Sequence, residues 1–154
     1  ADFFRLQIYG VMWSATGIDQ VYPSDYEKAQ TDFEADDSYH DLTAPLTEDD
    51  LAINALEAGF NVVGDTSMLL VNEPMLISSG ANSDIRYNFF YPRWAFDEYR
   101  AALAEHASAQ GYPYLDLWNL VPMTEFTNSG VHLTPFGESL LAEQVGASIQ
   151  NLCK

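Results

Sequence analysis

The strongest constraint on the fold is a short apolar run with polar loops on either side. Residues 68–72 read Met-Leu-Leu-Val-Asn, without alternation of apolar and polar positions. Such a run is typical of a strand that is buried on both faces, as in a parallel sheet covered by helices. Residues 112–118, Tyr-Pro-Tyr-Leu-Asp-Leu-Trp, predict a second strand. We therefore expect a sheet of parallel strands.

Helical patterns surround these two strands. Apolar residues recur at helical spacing within residues 47–59, 92–111 and 134–152. Thr47 and Thr134 are good N-caps for the first and third of these segments, and Gly59 and Gly111 are expected to end the first two. The order strand, helix, strand, loop, helix describes a βαβ unit with a closing helix.

The predicted fold class is α/β, a three-layer flavodoxin-like parallel sheet with flanking helices. We treat residues 1–154 as a single domain, with a core over 47–154. Residues 3–17 favour a helix and 18–46 an acidic extended loop or cap. A free-standing sheet of this kind has about five strands, and two are evident. Either the first segments contain further strands, or the chain is the C-terminal part of a larger domain.

The charge balance limits the classes of partner. The chain has 23 acidic and 6 basic residues, a net charge of −17. This field repels nucleic acid and anionic lipid, so we expect neither as a partner. The apolar stretch Phe3–Trp13 is too short for a membrane span. Cys153 is the single cysteine, so no intrachain disulfide can form. The compartment stays open, with a slight preference for an extracytoplasmic one.

The candidate site follows from where the loops leave the strands. In open α/β sheets, ligands bind beyond the carboxyl ends of the strands. The loops that leave those ends span residues 72–88 and 119–134, and the second contains His132. An imidazole with a pKa of about 6.5 suits a general base at neutral pH. The alternative is a histidine that only hydrogen-bonds to the loop backbone.

A resemblance gives this histidine a role. The string His132-Leu-Thr-Pro-Phe-Gly137, followed by an amphipathic C-terminal helix, resembles the last conserved block of the SGNH (GDSL-type) hydrolases. The strand ending in Leu115-Asp-Leu-Trp118 is similar to the final strand of that family, and the likeness covers roughly residues 45–154. The resemblance implies ester hydrolysis, in which the histidine deprotonates a serine and an aspartate orients the imidazole.

The sequence departs from the family pattern at two places. The position of the family's aspartate, three residues before His132, is Ser129, and the residue before that is Asn128. The string most like the nucleophile motif, residues 64–67 (Gly-Asp-Thr-Ser), directly precedes the first strand, so we interpret it as a connecting turn. One hypothesis is a hydrolase acting on an ester, such as an acyl or acetyl group on carbohydrate, whose nucleophile lies in a missing N-terminal part, in a partner chain or at an unrecognised position of this chain.

Two further hypotheses stay open. The chain can be a catalytically inactive SGNH-like domain that serves in ligand binding or assembly, or an unrelated acidic α/β domain. Asn72 and Glu73, at a strand end, offer polar groups to a ligand or simply cap the loop. Arg86 and Arg93 can hold a carboxylate or pair with nearby aspartates, the commoner use. No cofactor is implied, and the acidic cluster at 36–41 lacks the spacing of a calcium loop, so no metal site is expected.

Overall fold

The computed structural model describes residues 8–12, 15, 27–64 and 66–152. Residues 8–12 and 15 are helical, which agrees with the helix predicted over 3–17, and the remainder of that segment lies outside the described residues. Residues 27–46 contain no helix, and their single bridge joins Tyr39 to Leu42. The described part of the acidic segment is therefore the extended loop that its composition predicts.

The described sheet is a parallel pair. Strand β1 (Leu70–Asn72) pairs with strand β2 (Tyr114–Asp116), with Leu70 opposite Tyr114 and Asn72 opposite Asp116. Both strands are shorter than the runs at 68–72 and 112–118. Pro113 has no N–H to contribute to a ladder, so pairing begins where its carbonyl accepts a hydrogen bond from Leu70. The chain is thus a mixed α/β one, as predicted, and its described sheet has two strands.

Besides the helical residues 8–12 and 15, the described residues contain three α-helices: α1 (Ile53–Val63), α2 (Arg93–Gln110) and α3 (Pro135–Leu152), of which α2 packs against β2. Helix α2 has Pro92 as its N-cap and ends at Gly111, whose φ of 70° places it in the left-handed region that favours glycine. Helix α3 begins after Thr134, whose Oγ1 accepts a hydrogen bond from the Gly137 N–H at 3.2 Å. The sequence signals at the end of α2 and at the start of α3 are confirmed.

The predicted start and end of the first helix are wrong. Thr47 precedes a short 3₁₀ turn, Glu48–Asp50, and its N–H and hydroxyl both donate to Asp50 Oδ2, at 2.8 and 2.7 Å. These two bonds hold the pKa of the Asp50 carboxyl below its usual value. They close the 3₁₀ turn, and α1 begins later, at Ile53. The helix continues through Gly59 to Val63, since a glycine inside a helix costs only about 1 kcal/mol.

Two clusters of buried side chains involve the loops that leave the carboxyl ends of the strands. One cluster of buried side chains joins the loop after β1 to the loop after β2, and Leu141 of α3 packs against it: Leu76, Val121, Phe126 and Leu133. A second cluster packs the same β1 loop on α2, with Trp118 against it: Met75, Tyr87 and Phe96. The packing therefore fixes both loops in place.

A buried amide ties this region together. Asn88 is fully buried, and its Nδ2 donates to the Leu76 carbonyl at 2.9 Å. Its Oδ1 accepts hydrogen bonds from the backbone N–H groups of Phe90 and Tyr91, at 2.8 and 3.1 Å. A buried amide with both ends hydrogen-bonded stabilises one arrangement of the chain around it. Asn88 thus fastens the aromatic turn at 88–91 to the loop after β1.

Replacing this amide should destabilise the protein. In Asn88→Ala, the Leu76 carbonyl and two N–H groups lose a buried partner, which we expect to cost about 2–4 kcal/mol. The free energy of unfolding from urea titration measures this loss. Asn61→Ala, at an exposed position of α1, is the control and should change stability by less than about 0.5 kcal/mol. Equal effects of the two substitutions would contradict the role given to Asn88.

Candidate functional site

The two loops at the carboxyl ends of the strands are joined to each other. The Leu76 N–H donates to the Gly130 carbonyl at 2.8 Å, and the Met75 N–H donates to the Trp118 carbonyl at 3.0 Å. The loop after β1 therefore lies directly against the loop that carries His132. This is the side of the sheet on which the sequence predicts the site.

The His132 loop is a closed turn with its imidazole on the surface. The His132 carbonyl accepts a hydrogen bond from the Thr127 N–H at 2.8 Å, and Phe126 and Leu133 form an antiparallel bridge beneath it. Phe126 and Leu133 are buried, whereas His132 itself is exposed. The buried neighbours anchor the turn and leave the ring accessible to a ligand.

Asn128, and not Ser129, is the partner of the imidazole. The Ser129 Oγ accepts hydrogen bonds from the N–H groups of Val131 and His132, at 3.2 and 3.0 Å, so this side chain shapes the turn. Asn128 Oδ1 lies 3.3 Å from His132 Nδ1, and the Thr127 hydroxyl lies 3.2 Å from the same oxygen. With the proton on Nδ1, Oδ1 accepts it and Nε2 keeps a free lone pair.

The rest of the His-Leu-Thr-Pro-Phe-Gly string sets this loop against α3. The Thr134 hydroxyl donates to Glu125 Oε2 at 2.5 Å, and the Thr134 N–H donates to the Glu125 carbonyl at 2.8 Å. A Cβ on Gly137 would lie 3.2 Å from Glu125 Cβ, Leu133 Cβ and Val121 Cγ1. The string therefore has a structural use at each of these positions, in addition to any role of His132.

The described residues place no nucleophile against this histidine. Within residues 27–64 and 66–152, no serine or threonine hydroxyl hydrogen-bonds to the imidazole. Gly64 and Thr66 lie in the turn between α1 and β1, as predicted, which is the amino end of that strand. Residue 65 lies outside the described residues. A hydroxyl in that turn is on the opposite side of the sheet from His132.

Asn72 is a cross-strand tie at the carboxyl ends of both strands. It is buried, and its Nδ2 donates to Asp116 Oδ1 at 2.9 Å. Asp116 Oδ2 in turn accepts from Arg100 Nη2 at 2.7 Å, and that guanidinium lies 4.1 Å over the Trp118 ring. Glu73 is exposed beside it. The sequence reasoning missed Arg100 and Asp116, although a carboxylate inside an apolar strand was a signal that a partner exists.

Tyr114 lies in the same polar group. Burial, followed by the Asp116 carboxylate and Tyr99, raises the pKa of Tyr114 to about 12, while Arg100 and the Asn72 amide act in the opposite direction. Its hydroxyl is buried and has no hydrogen-bond partner of normal geometry among the described residues. The fold therefore favours the neutral phenol over the phenolate.

The two arginines among the aromatic residues are engaged within the protein. Arg86 Nη1 donates to the Asp36 carbonyl at 2.7 Å and lies 3.4 Å from its carboxylate. Two hydrogen bonds from Ser38 lower the pKa of the Asp36 carboxyl, and Arg86 adds to that effect. Arg93 Nε donates to the Ser83 carbonyl at 2.6 Å, with its guanidinium 4.4 Å from the centre of the Tyr87 ring. Arg86 thus pairs with a nearby aspartate, which is one of the two uses predicted for it.

The acidic segment reaches across the loop after β1 to the His132 loop. Ser78 Oγ donates to the Thr31 carbonyl, and Asn82 Nδ2 donates to the Phe33 carbonyl at 2.7 Å. At the other end, the Ala29 N–H donates to the Thr127 carbonyl at 2.9 Å. An open cleft of about 570 Å³ lies between this segment and the loops, lined by Glu27, Lys28, Ala29, Gln30, Phe89 and Asn128. We call it the Asn128 cleft.

The comparisons with known proteins give no relative. No family model, no curated protein and no solved structure matches the chain. Over the described ranges, no helix has the length and apolar character needed to cross a membrane. Nor do three or more His, Cys, Asp or Glu side chains of that part of the chain form a group able to hold a metal ion. The likeness to SGNH hydrolases rests on the residues named above.

The packing at Gly137 predicts opposite effects for two glycines of one helix. In Gly137→Ala, contacts of 3.2 Å on three sides should outweigh the gain in helix propensity and cost about 1–3 kcal/mol. Gly146→Ala is the matched control, because nothing lies within 4 Å of its Cβ position, and it should add about 0.5–1 kcal/mol. Thermal unfolding of both variants measures the difference. Stabilisation by both would show that α3 does not sit closely on the His132 loop.

The raised pKa of Tyr114 predicts a loss of stability in alkali. The unfolded tyrosine titrates at about pH 10, so its contribution is complete below that pH and is lost as the pH rises towards the folded value of about 12. Tyr114→Phe should therefore retain more stability than the parent protein between these values, with no loss at neutral pH, where the buried hydroxyl has no partner of normal geometry. The prediction is wrong if the free energy of unfolding changes with pH in the same way for the parent protein and for Tyr114→Phe over this interval.

Proposed function

We propose that the chain is an SGNH-like hydrolase domain that acts on an ester, with His132 as its general base. The observation that carries the proposal is the pairing of His132 Nδ1 with Asn128 Oδ1 at 3.3 Å, on an exposed ring beside the carboxyl ends of parallel strands. A base needs an unprotonated nitrogen facing substrate and a fixed tautomer. The Asn128 oxygen supplies the second condition.

In this proposal, Nε2 takes the proton of a hydroxyl as that hydroxyl attacks the ester carbonyl. The hydroxyl oxygen bonds to the acyl carbon, the C–O bond to the alcohol breaks, and the alcohol leaves with the proton from Nε2. Water, deprotonated by the same nitrogen, then cleaves the acyl–enzyme ester to the carboxylic acid and restores the hydroxyl. The nucleophilic hydroxyl is supplied from outside the described residues or by a partner chain. The ester is an acyl or acetyl group on a small molecule or a carbohydrate. The net charge of −17 disfavours nucleic acid as a partner, because it repels phosphate groups.

We also propose the finer fold, a three-layer flavodoxin-like sheet in which β1 and β2 are two neighbouring strands. The parallel register of the pair and the α2 crossover between them support it. So does the apolar run at 68–72, which suits a strand covered on both faces. Leu70 and Val71 are only half-buried among the described residues, which leaves room for further layers.

A second candidate function is ligand binding without catalysis. The observation that favours it is the identity of the imidazole partner, an amide rather than a carboxylate. An amide cannot stabilise an imidazolium as a charged carboxylate does, and this exchange lowers turnover by about four orders of magnitude in the serine-protease triad. An inactive relative would keep the same crevice and use it to hold a ligand or to assemble.

Removing the imidazole separates the two functions. We expect His132→Ala to lower kcat/KM for p-nitrophenyl acetate by about 100-fold or more, since general-base catalysis contributes at least that much. His40→Asn is the control: His40 is exposed, and its φ of 49° is one that asparagine tolerates. This variant should keep the parent rate.

The outcomes of that assay differ for each function. A rate that survives His132→Ala unchanged would rule out His132 as the base. Absence of hydrolysis in the parent protein and in both variants would favour the binding function. Circular dichroism of each variant shows whether the fold is retained, so that a lost rate is not confused with unfolding.

A further inference from the structure

The Asn128 cleft combines one aromatic side chain with several polar ones in its lining. The aromatic side chain is Phe89, which is 40% exposed. Its ring centre lies 4.2 Å from that of Phe90 and 6.4 Å from that of Phe33, and its Cζ is 3.6 Å from the position of a Cβ on Gly130. The ring is therefore held by neighbours while part of its surface stays open to a ligand.

The polar residues of the lining offer hydrogen-bond donors and acceptors of balanced charge. Gln30 and Asn128 carry amides, which both donate and accept. Glu27 brings a carboxylate and Lys28 an ammonium group, so the formal charges of the lining cancel. Lys28 Nζ lies 3.4 Å from the Thr124 carbonyl, which directs this side chain towards the His132 loop. An uncharged ligand with several hydroxyl groups fits this lining.

We propose that the Asn128 cleft binds a neutral sugar ring. The apolar C–H face of a sugar packs on an aromatic ring, and its hydroxyl groups bond to amides and carboxylates at its rim. A long acyl chain would need a mainly apolar lining, and four of the six lining residues are polar or charged. An anionic sugar would meet the repulsion of a chain with net charge −17.

The position of the cleft links it to the proposed function. Asn128 lines the cleft and also pairs with His132, so a ring bound there lies next to the imidazole. The sugar is then the alcohol part of the ester, and this assignment rests on the proposed hydrolase function. The binding of the sugar itself does not, because none of its contacts depends on proton transfer.

Binding to neutral glycans tests the inference on the full chain. The probes are cellotetraose, maltotetraose and xylotetraose, with tetragalacturonate as the anionic comparison, followed by saturation-transfer NMR and calorimetry. We expect at least one neutral probe to bind more tightly than the anionic one. Phe89→Ala should weaken that binding by about tenfold or more. Phe89→Tyr, which keeps an aromatic ring, should bind within about threefold of the parent protein.

The control variant is Phe136→Ala, because Phe136 is also exposed but does not line the cleft. It should leave binding within about twofold of the parent. Failure of all three neutral probes to bind, equal binding by Phe89→Ala, or tighter binding of tetragalacturonate would each overturn the inference.

His132→Ala distinguishes this inference from the proposed function. Loss of ester hydrolysis with retained sugar binding supports both. If sugar binding depends on Phe89 but the hydrolysis rate is unchanged by His132→Ala, the sugar site is supported and His132 is not the base. If hydrolysis depends on His132 but no sugar binds, His132 is supported as the base and the sugar site is contradicted.

Discussion

Leu76 is the residue on which the arrangement of the site depends. Its N–H donates to the Gly130 carbonyl of the His132 loop, its carbonyl accepts from the buried Asn88 amide, and its side chain lies in the core cluster with Leu133. Three separate segments thus meet on one residue, 2% exposed. Because buried backbone groups must be paired, displacing any of these segments would leave unpaired polar groups in the core.

Local signals were enough to predict the parallel pair and most helix ends. The apolar runs marked both strands, and Gly111 and Thr134 marked helix ends, because these effects depend on residues near in sequence. The predicted start of α1 was wrong because of another local interaction. Asp50 accepts the hydrogen bonds of Thr47 and closes a 3₁₀ turn. A capping signal does not tell which nearby group the cap will bind.

The site itself was predictable only in part. The position of His132 followed from the loop order, but its pairing with Asn128 depends on a turn that Ser129 closes through two backbone N–H groups. The contact of residues 27–33 with the His132 loop could not be predicted, because contacts between irregular segments leave no periodic pattern in the sequence. Phe89 and Gln30 were missed for that reason.

The use of positive charge limits the chemistry of this surface. The arginines of the described residues, Arg86, Arg93 and Arg100, are each held by internal contacts, which leaves Lys28 as the cation beside the His132 loop. In the proposed reaction, the groups of the described residues that could stabilise an oxyanion near His132 are backbone N–H groups and this lysine. Since the net charge of −17 opposes any negative ligand, this electrostatic field disfavours an anionic substrate and is compatible with the neutral one that we propose.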